Sequence, residues 1–405
     1  MDNEIILLSI NGEDRPGISS SLTDILSKYD VQILDIGQAV IHDSLSLGIM
    51  FRIPKEIESS PILKDLLFKS YELNVQIKFT PVNEEDYNDW VGHQGKKRYI
   101  VTLISRQTTA LQLSKLTEVI YNQGLNIDII TRLTGRPKLD DIDDNSKSSI
   151  EFSIRGNPVD ETAFRKELME ISKLTGADIA FQEDNIFRRN RRLVCFDMDS
   201  TLIQTEVIDE LAKRNGVGDK VKEITEKAMR GEIDFNESFI QRVALLKGLE
   251  ESVMEEIALS LPITEGAEKL FRTLKKYGFK TAILSGGFSY FGKYLQHKLG
   301  VDYVFANDLE IKNGKLTGRH LGEIVNGEMK AEMLKKIAFK EDIHLEQVVA
   351  VGDGANDLPM LNLAGLGIAF HAKPKVKANA RHSISTIGLD VILYLMGFRD
   401  REIEQ

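Results

Sequence analysis

Apolar positions at the start of the chain come first as a short run and then at helical spacing. IILLSI (5–10) has strand length, and DRPGISSSLTDILSKY (14–29) puts Ile18, Leu22, Ile25, Leu26 and Tyr29 on one helix face. VQILDIGQAVIH and SLSLGIMFRI meet at His42 and Asp43 and read as two strands. A helical stretch near 56–70 and a strand at NVQIKFT follow.

The order β-α-β-β-α-β is the ferredoxin-like one. It recurs as RYIVTLI (98–104), TALQLSKLTEVIYNQ (109–123), LNIDIITRLT, SSIEFSIRG, a helix near 160–174 and ADIAFQ. Two tandem copies, over 1–85 and 95–185, are expected, joined by a linker within 83–97. The second copy inserts the acidic, polar stretch PKLDDIDDNSKSS, which reads as a mobile loop.

From about 192 the pattern changes. RRLVCFDMD, KTAILSG, DYVFAND, QVVAVGD and GLGIAF are apolar runs alternating with longer helical stretches, the signature of a mostly parallel, buried sheet over 190–405. Residues 207–265 interrupt the alternation with charge-rich helical sequence and predict an inserted helical cap. Asn313-Gly314 marks a two-residue hairpin. The fold class expected is therefore α/β, Rossmann-like, preceded by two α+β ferredoxin-like domains.

A length of 405 residues accommodates three such domains, and the formal charge is −10. The single cysteine, Cys195, has no intrachain partner, which suits a reducing, cytoplasmic setting, and its place on an apolar strand reads as core packing. No apolar run is long enough to span a bilayer, and the amino terminus is acidic where a signal peptide is basic. An acidic chain without a basic, aromatic-interleaved stripe argues against nucleic acid as a partner. The basic cluster Arg188, Arg189, Arg191 and Arg192 reads as a solvated linker.

Candidate chemistry gathers at strand ends, where ligands of parallel sheets sit. Asp197 and Asp199, in FDMDST, end the first strand at spacing two, which would aim both carboxylates to one face about 7 Å apart. One carboxylate can attack an electrophile while the other moves protons. Ser285, Gly286 and Gly287 offer a hydroxyl and backbone amides for phosphoryl oxygens. Lys330 opens a helix, and GDGANDLPM supplies Asp353, Asn356 and Asp357. So many carboxylates beside a phosphate dianion call for cations, which implies Mg²⁺ and Lys330. The near P-loop GFSYFGKY ends in Tyr294 and is set aside.

DMDST, SGG, the isolated Lys and GDGANDLPM resemble the four motifs of the haloacid dehalogenase-like phosphatases. That resemblance implies Asp197 as nucleophile and Asp199 as acid and then base. It implies a Mg²⁺ site formed by Asp197, Asp353 and the backbone carbonyl of Asp199, supported by Asp357, with Ser285, Gly286, Lys330 and Asn356 around the phosphoryl group. DSTLIQTEVIDELA (199–212) and AMRGEIDFNESFIQRV (228–243) further resemble the phosphoserine phosphatases. This narrower likeness puts Glu206 on the substrate ammonium, Arg242 on its carboxylate, and Met229 and Phe235 over the pocket. The implied reaction is hydrolysis of O-phospho-L-serine through an aspartyl-phosphate, the last step of serine biosynthesis. Another small phosphomonoester as substrate, and an amino-acid-sensing protein with vestigial activity, remain open. The two amino-terminal copies resemble ACT domains on element order and DRPGI (14–18). Gly17, at a helix start, would receive the carboxylate of an effector such as serine, or the copies would only pair subunits into a homodimer.

Overall fold

Strand β1 (Glu4–Glu13) opens the chain, followed by α1 (Ile18–Lys28), β2 (Gln32–Ile41), β3 (Ser44–Ile53), α2 (Ser59–Glu72), β4 (Val75–Val82) and α3 (Glu84–Gly92). The computed structural model describes residues 4–92, 95, 97–136, 138, 140 and 146–403. The chain divides into two units, Met1–Lys96 and Lys97–Gln405.

In the first unit the four strands form an antiparallel sheet in the order β2-β3-β1-β4. Alternation along β3 buries Leu45, Leu47, Ile49, Phe51 and Ile53 against Ile18, Leu22, Ile25, Leu26, Ile62 and Leu66 of the two helices. Gly17 precedes α1 at φ 96°, a left-handed conformation that suits glycine. Edge strand β2 leaves Ile33, Ile36, Val40 and Ile41 exposed. The segment expected as a linker is largely helical, because α3 covers Glu84–Gly92. Residues 93, 94 and 96 of it lie outside the described residues.

The second unit begins with the repeat: β5 (Arg98–Ser105), α4 (Ala110–Asn122), β6 (Asn126–Arg132), β7 (Ser148–Arg155), α5 (Glu161–Thr175) and β8 (Asp178–Glu183). Its strand order, β6-β7-β5-β8, reproduces the first sheet. Most of the acidic insertion expected to be mobile, at 137, 139 and 141–145, lies outside the described residues.

Next come β9 (Leu193–Phe196), α6 (Val207–Arg214), α7 (Gly218–Arg230), α8 (Phe235–Ala244), α9 (Ser252–Ser260), α10 (Ala267–Lys276), β10 (Lys280–Phe288) and α11 (Ser289–Leu299). They are followed by β11 (Tyr303–Lys312), β12 (Lys315–Leu321), α12 (Gly327–Lys340), β13 (Val348–Gly352), α13 (Leu358–Leu363), β14 (Leu366–Phe370), α14 (Pro374–Lys377), β15 (His382–Ile384) and α15 (Ile392–Leu395). The seven strands run in the order β12-β11-β10-β9-β13-β14-β15, parallel except for β12. Asn313 and Gly314 both take positive φ and close the β11–β12 hairpin as expected. Strand β15, three residues long, has no counterpart in the sequence pattern. Along β9, Val194 and Phe196 face α10 and α11 while Leu193 and Cys195 face α12 and α13, so both sheet faces are covered. Helices α6 to α9 form the cap. Its two connectors pair with each other, Gln204 N–H donating to the Pro262 carbonyl at 2.9 Å and Thr264 N–H to Leu202 at 2.9 Å.

The second repeat is docked on this sheet domain, and Ile104, Leu133 and Ala180 share its core. The buried Asp178 carboxylate accepts the Ser385 N–H at 2.8 Å, the Thr386 N–H at 3.1 Å and the Thr386 hydroxyl at 2.7 Å. Lys147 pairs with Asp390 at 2.6 Å, and Gln182 Nε2 donates to the Leu395 carbonyl at 3.0 Å. The structure corrects the reading of the arginine cluster as solvated. Arg188 is buried on Glu151, and Arg191 is buried while donating to the Glu346 and Gly365 carbonyls. Only Arg189 and Arg192 keep the exposed character expected of a linker.

Candidate active site

Strand β9 stops at Phe196, three residues short of Asp199, so strand alternation does not carry through the pair. Asp197 is held by its N–H bond to the Val351 carbonyl at 2.8 Å. Met198–Leu202 then makes a tight turn in which Ser200 takes φ 55°. This turn, rather than the pleat, brings Asp199 back to the sheet edge, where its Oδ1 accepts the Val207 N–H at 2.9 Å. Asp197 and Asp199 are 5% and 8% exposed, so both carboxylates are removed from water.

Lys330 lies in the first turn of α12 and is fully buried. Its Nζ donates to Asp197 Oδ1 at 2.7 Å and Asp357 Oδ1 at 2.6 Å. Asn326 caps α12 by accepting the Met329 N–H at 3.0 Å. Gly327 packs on the Asn356 backbone so closely that a Cβ would meet its carbonyl oxygen at 2.5 Å. After β13, the Gly354 N–H holds Asp357 Oδ2 at 2.9 Å, and the Thr201 hydroxyl reaches Asp353 Oδ1 at 3.4 Å. Asn356 is half-buried on this turn.

Carboxylate oxygens of Asp197, Asp353 and Asp357 lie within 4.8 Å of one another. Asp357, expected behind the metal shell, thus stands in the cluster itself while also binding Lys330. The Asp199 side chain is not part of this trio, in keeping with the resemblance, which assigned only its carbonyl. Three carboxylates facing one ammonium leave two uncompensated negative charges in a buried place. Hard oxygen donors with that charge fit a divalent cation such as Mg²⁺.

At the end of β10 the buried Ser285 hydroxyl accepts the Gly287 N–H at 2.9 Å, so this amide is turned inward rather than left free. A Cβ on Gly287 would collide with the Asp199 carboxylate, and one on Gly286 would come within 2.9 Å of the Phe235 ring. The glycines let acid, phosphate turn and cap approach closely. Asn307, unremarked in the sequence, fixes this turn from β11. Its Nδ2 donates to the Gly286 carbonyl at 2.9 Å and the Gly287 carbonyl at 3.3 Å, and its Oδ1 accepts the Val325 N–H at 2.9 Å. A polar residue at the carboxyl end of a buried strand was the signal available.

On the cap side Glu206 is exposed and accepts the Ser200 hydroxyl at 2.8 Å. Half-buried Arg242, in the last turn of α8, donates from Nε to the Ser238 carbonyl at 3.3 Å. Among the described residues no carboxylate lies within 4.0 Å of it. Phe235 sits over Gly286, whereas Met229 is 60% exposed, with its sulfur 3.6 Å from the Lys373 ammonium. Met229 therefore stands at the rim and not inside the pocket.

Burial raises Asp197 well above the usual carboxylate range, reinforced by Asp357 and opposed by Lys330. Asp199 is raised as well, by burial and then by Glu206, against the Val207 N–H. Asp353 is pushed up to about 7 by burial, Asp357 and Glu206. Burial works against the Lys330 charge, but Asp197 and Asp357 outweigh it and hold the ammonium above its ordinary value. Arg242 is lowered by burial and supported by Glu206, Asp209 and Asp199.

Residues 191–365 match the haloacid dehalogenase-like hydrolase family and residues 4–80 the ACT domain family. The whole chain is 39% identical over 407 residues to a phosphoserine phosphatase of Streptomyces coelicolor, 94% of which is covered. The chain belongs to the phosphoserine phosphatase family. A second member, from Mycobacterium tuberculosis, is 36% identical over 402 residues, covering 98% of this chain and 94% of that one. Among solved structures, a probable phosphoserine phosphatase from Vibrio cholerae, in unliganded form, superposes with a TM-score of 0.59 at 36% identity, over 74% of this chain and 86% of that one. A HAD family hydrolase of Salmonella enterica serovar Typhi gives a TM-score of 0.64 at 31% identity, over 74% and 98%. All four motifs of this family fall inside the matched span. The second ferredoxin-like repeat lies outside the matched ACT span but repeats its strand order. No described helix is long and apolar enough to cross a membrane.

Proposed function

We propose that the chain hydrolyses O-phospho-L-serine to L-serine and phosphate. The observation that carries this reading is the juxtaposition of a buried Asp197–Lys330–Asp357 ion cluster with Glu206, at the start of the cap, and with the half-buried Arg242 guanidinium, which among the described residues has no carboxylate within 4.0 Å. A zwitterionic head with a phosphate tail needs those three elements.

Asp197 is the nucleophile. Its carboxylate oxygen bonds to phosphorus as the bond from phosphorus to the serine oxygen breaks. Asp199, whose protonated form burial and Glu206 favour, gives its proton to the departing serine oxygen. The Asp199 carboxylate then takes a proton from the water that attacks phosphorus, and the Asp197–phosphorus bond breaks to release phosphate. Lys330 and Ser285 hold phosphoryl oxygens, and Asn356 borders them. Phe235 over Gly286 excludes water from the reacting centre. Asp197, Asp353 and the Asp199 carbonyl would hold Mg²⁺, with Asp357 beside them, and when bound the cation neutralises charge on the transferring group. In the first unit we assign the DRPGI turn to an amino-acid effector such as serine. The exposed β2 edge favours a homodimer, to be weighed by sedimentation.

A panel of phosphoserine, phosphothreonine, sugar phosphates and nucleotides, assayed for phosphate release with and without Mg²⁺, tests the assignment. Phosphoserine should lead, and Asp197→Asn should lower kcat by at least about 10³ without unfolding the chain. Arg242→Ala should raise KM for phosphoserine about 10- to 100-fold and leave p-nitrophenyl phosphate little changed. A preference for sugar phosphates would end the phosphoserine reading.

A further inference from the structure

Substrate capture poses an electrostatic problem, because the chain carries −10 and a phosphomonoester is itself anionic. The turn between α7 and α8 crosses the carboxyl edge of the sheet. The cap meets that edge on either side of this turn: Phe235, the first residue of α8, lies over Gly286 near the end of β10, and Met229, in the last turn of α7, meets Lys373 after β14. In the strand order β10-β9-β13-β14, these contacts bracket the two strands that deliver Asp197 and Asp353. Lys373 and Met229 are both exposed, so the β14 side is the open flank of the site, across from Phe235 on the β10 side.

The segment after β14 is cationic, with Lys373, Lys375 and Lys377 in five residues. Among the described residues none of the three has a carboxylate within 4.0 Å. Elsewhere the exposed lysines are often paired, as Lys213, Lys227 and Lys336 are with helix neighbours. An unpaired ammonium at the mouth of a cleft keeps its field and raises the local concentration of anions there. Lys373 is the member of this group that touches the cap.

We infer that Lys373 is a capture residue, drawing the phosphate dianion of the substrate through the open flank before the buried Lys330 receives it. It acts on entry and not on the chemical step, because its ammonium is exposed and contacts Met229 rather than the carboxylate cluster. This rests on the phosphatase reading above, although it concerns the phosphate and not the serine head.

The test is steady-state kinetics of the full chain with Mg²⁺, on phosphoserine and p-nitrophenyl phosphate in parallel, from about 20 mM to about 300 mM ionic strength. Lys373→Met keeps the stem beside Met229 and removes the charge. It should lower kcat/KM about fivefold at low ionic strength with kcat unchanged, and the deficit should vanish at high salt. Lys373→Arg should restore capture. A Lys373→Met variant equal to the unmodified chain at low salt would overturn the inference, as would a salt-independent loss in kcat. If phosphoserine proves inert while p-nitrophenyl phosphate turns over, the substrate reading fails and the role of Lys373 is still read on the second substrate.

Discussion

Replacing Asn307 with Asp changes one atom of the amide that ties the phosphate turn to the loop before α12. The side chain is 1% exposed, and all three of its bonds are within 3.3 Å. Asp keeps the acceptor for the Val325 N–H but turns an oxygen toward the Gly286 and Gly287 carbonyls in place of two donated hydrogens. Two part-buried carbonyls lose their partner, at about 1–3 kcal/mol each, and the new carboxyl group must stay protonated or be buried as a charge. A destabilisation of about 3 kcal/mol follows, a drop of roughly 5–10 °C in Tm for a unit of this size. The kinetic effect should exceed what stability explains. The turn bears Ser285 and touches Asp199, and a displacement near 1 Å at such a place lowers kcat about 10²-fold. Calorimetry and phosphate release at 20 °C, where both proteins are folded, separate the two effects. An Asn307→Asp protein with kcat/KM within twofold of the unmodified chain would refute the idea that this side chain positions the phosphate turn.

Two further outcomes follow from burial and docking. With Asp353 raised to about 7 in the metal-free chain, against about 3.9 for an unfolded Asp, the folded form binds that proton more tightly. Its stabilising effect is complete below about pH 4 and is lost as pH rises toward 7. A divalent cation replaces the proton, so Mg²⁺ should raise Tm more at pH 8 than at pH 5, and equal shifts would count against the carboxylate trio as the binding site. A fragment beginning at Lys97 should fold and keep most phosphatase activity. One beginning at residue 190 loses Ile104, Leu133 and Ala180 from the core together with the Asp178 bonds, and should melt at least about 10 °C lower or aggregate. Comparable melting of the two fragments would show the docking to be dispensable.

The motif carboxylates and the Ser285 turn were legible because they sit at the ends of apolar runs, where composition changes abruptly and parallel sheets place ligands, whereas Lys330, at a helix start, was legible through charge balance and the family resemblance. The tandem repeat was legible from its strand-and-helix order. Other features depend on contacts between distant segments and leave little local trace. Asn307 acts on a turn 20 residues earlier in sequence and a loop 18 residues later. Gly327 needs its small size only because α12 meets the Asn356 backbone. Arg188 and Arg191 looked solvated because nothing nearby in sequence announces that Glu151 of the second repeat receives the first and the Glu346 and Gly365 carbonyls receive the second. The Asp-x-Asp spacing suggested a strand pleat, whereas the left-handed Ser200 makes a turn that reaches the same edge by a different path. A residue at φ 55° is invisible to periodicity. Met229 matched a pocket-closing position by motif, and only the cap geometry moves it to the rim.

Cys195, the single thiol of the chain, is fully buried on β9 between β10 and β13, and burial raises its pKa far out of the reactive range. No alkylating reagent can reach it without lifting α12 and α13 from the sheet face it packs on. Under conditions where reclosing outruns labelling, the rate at which that sulfur reacts measures the fraction of time this face of the sheet stands open. The unaltered protein thus contains its own clock for the opening of its catalytic core, and each ligand that slows the clock reveals how much it tightens that core.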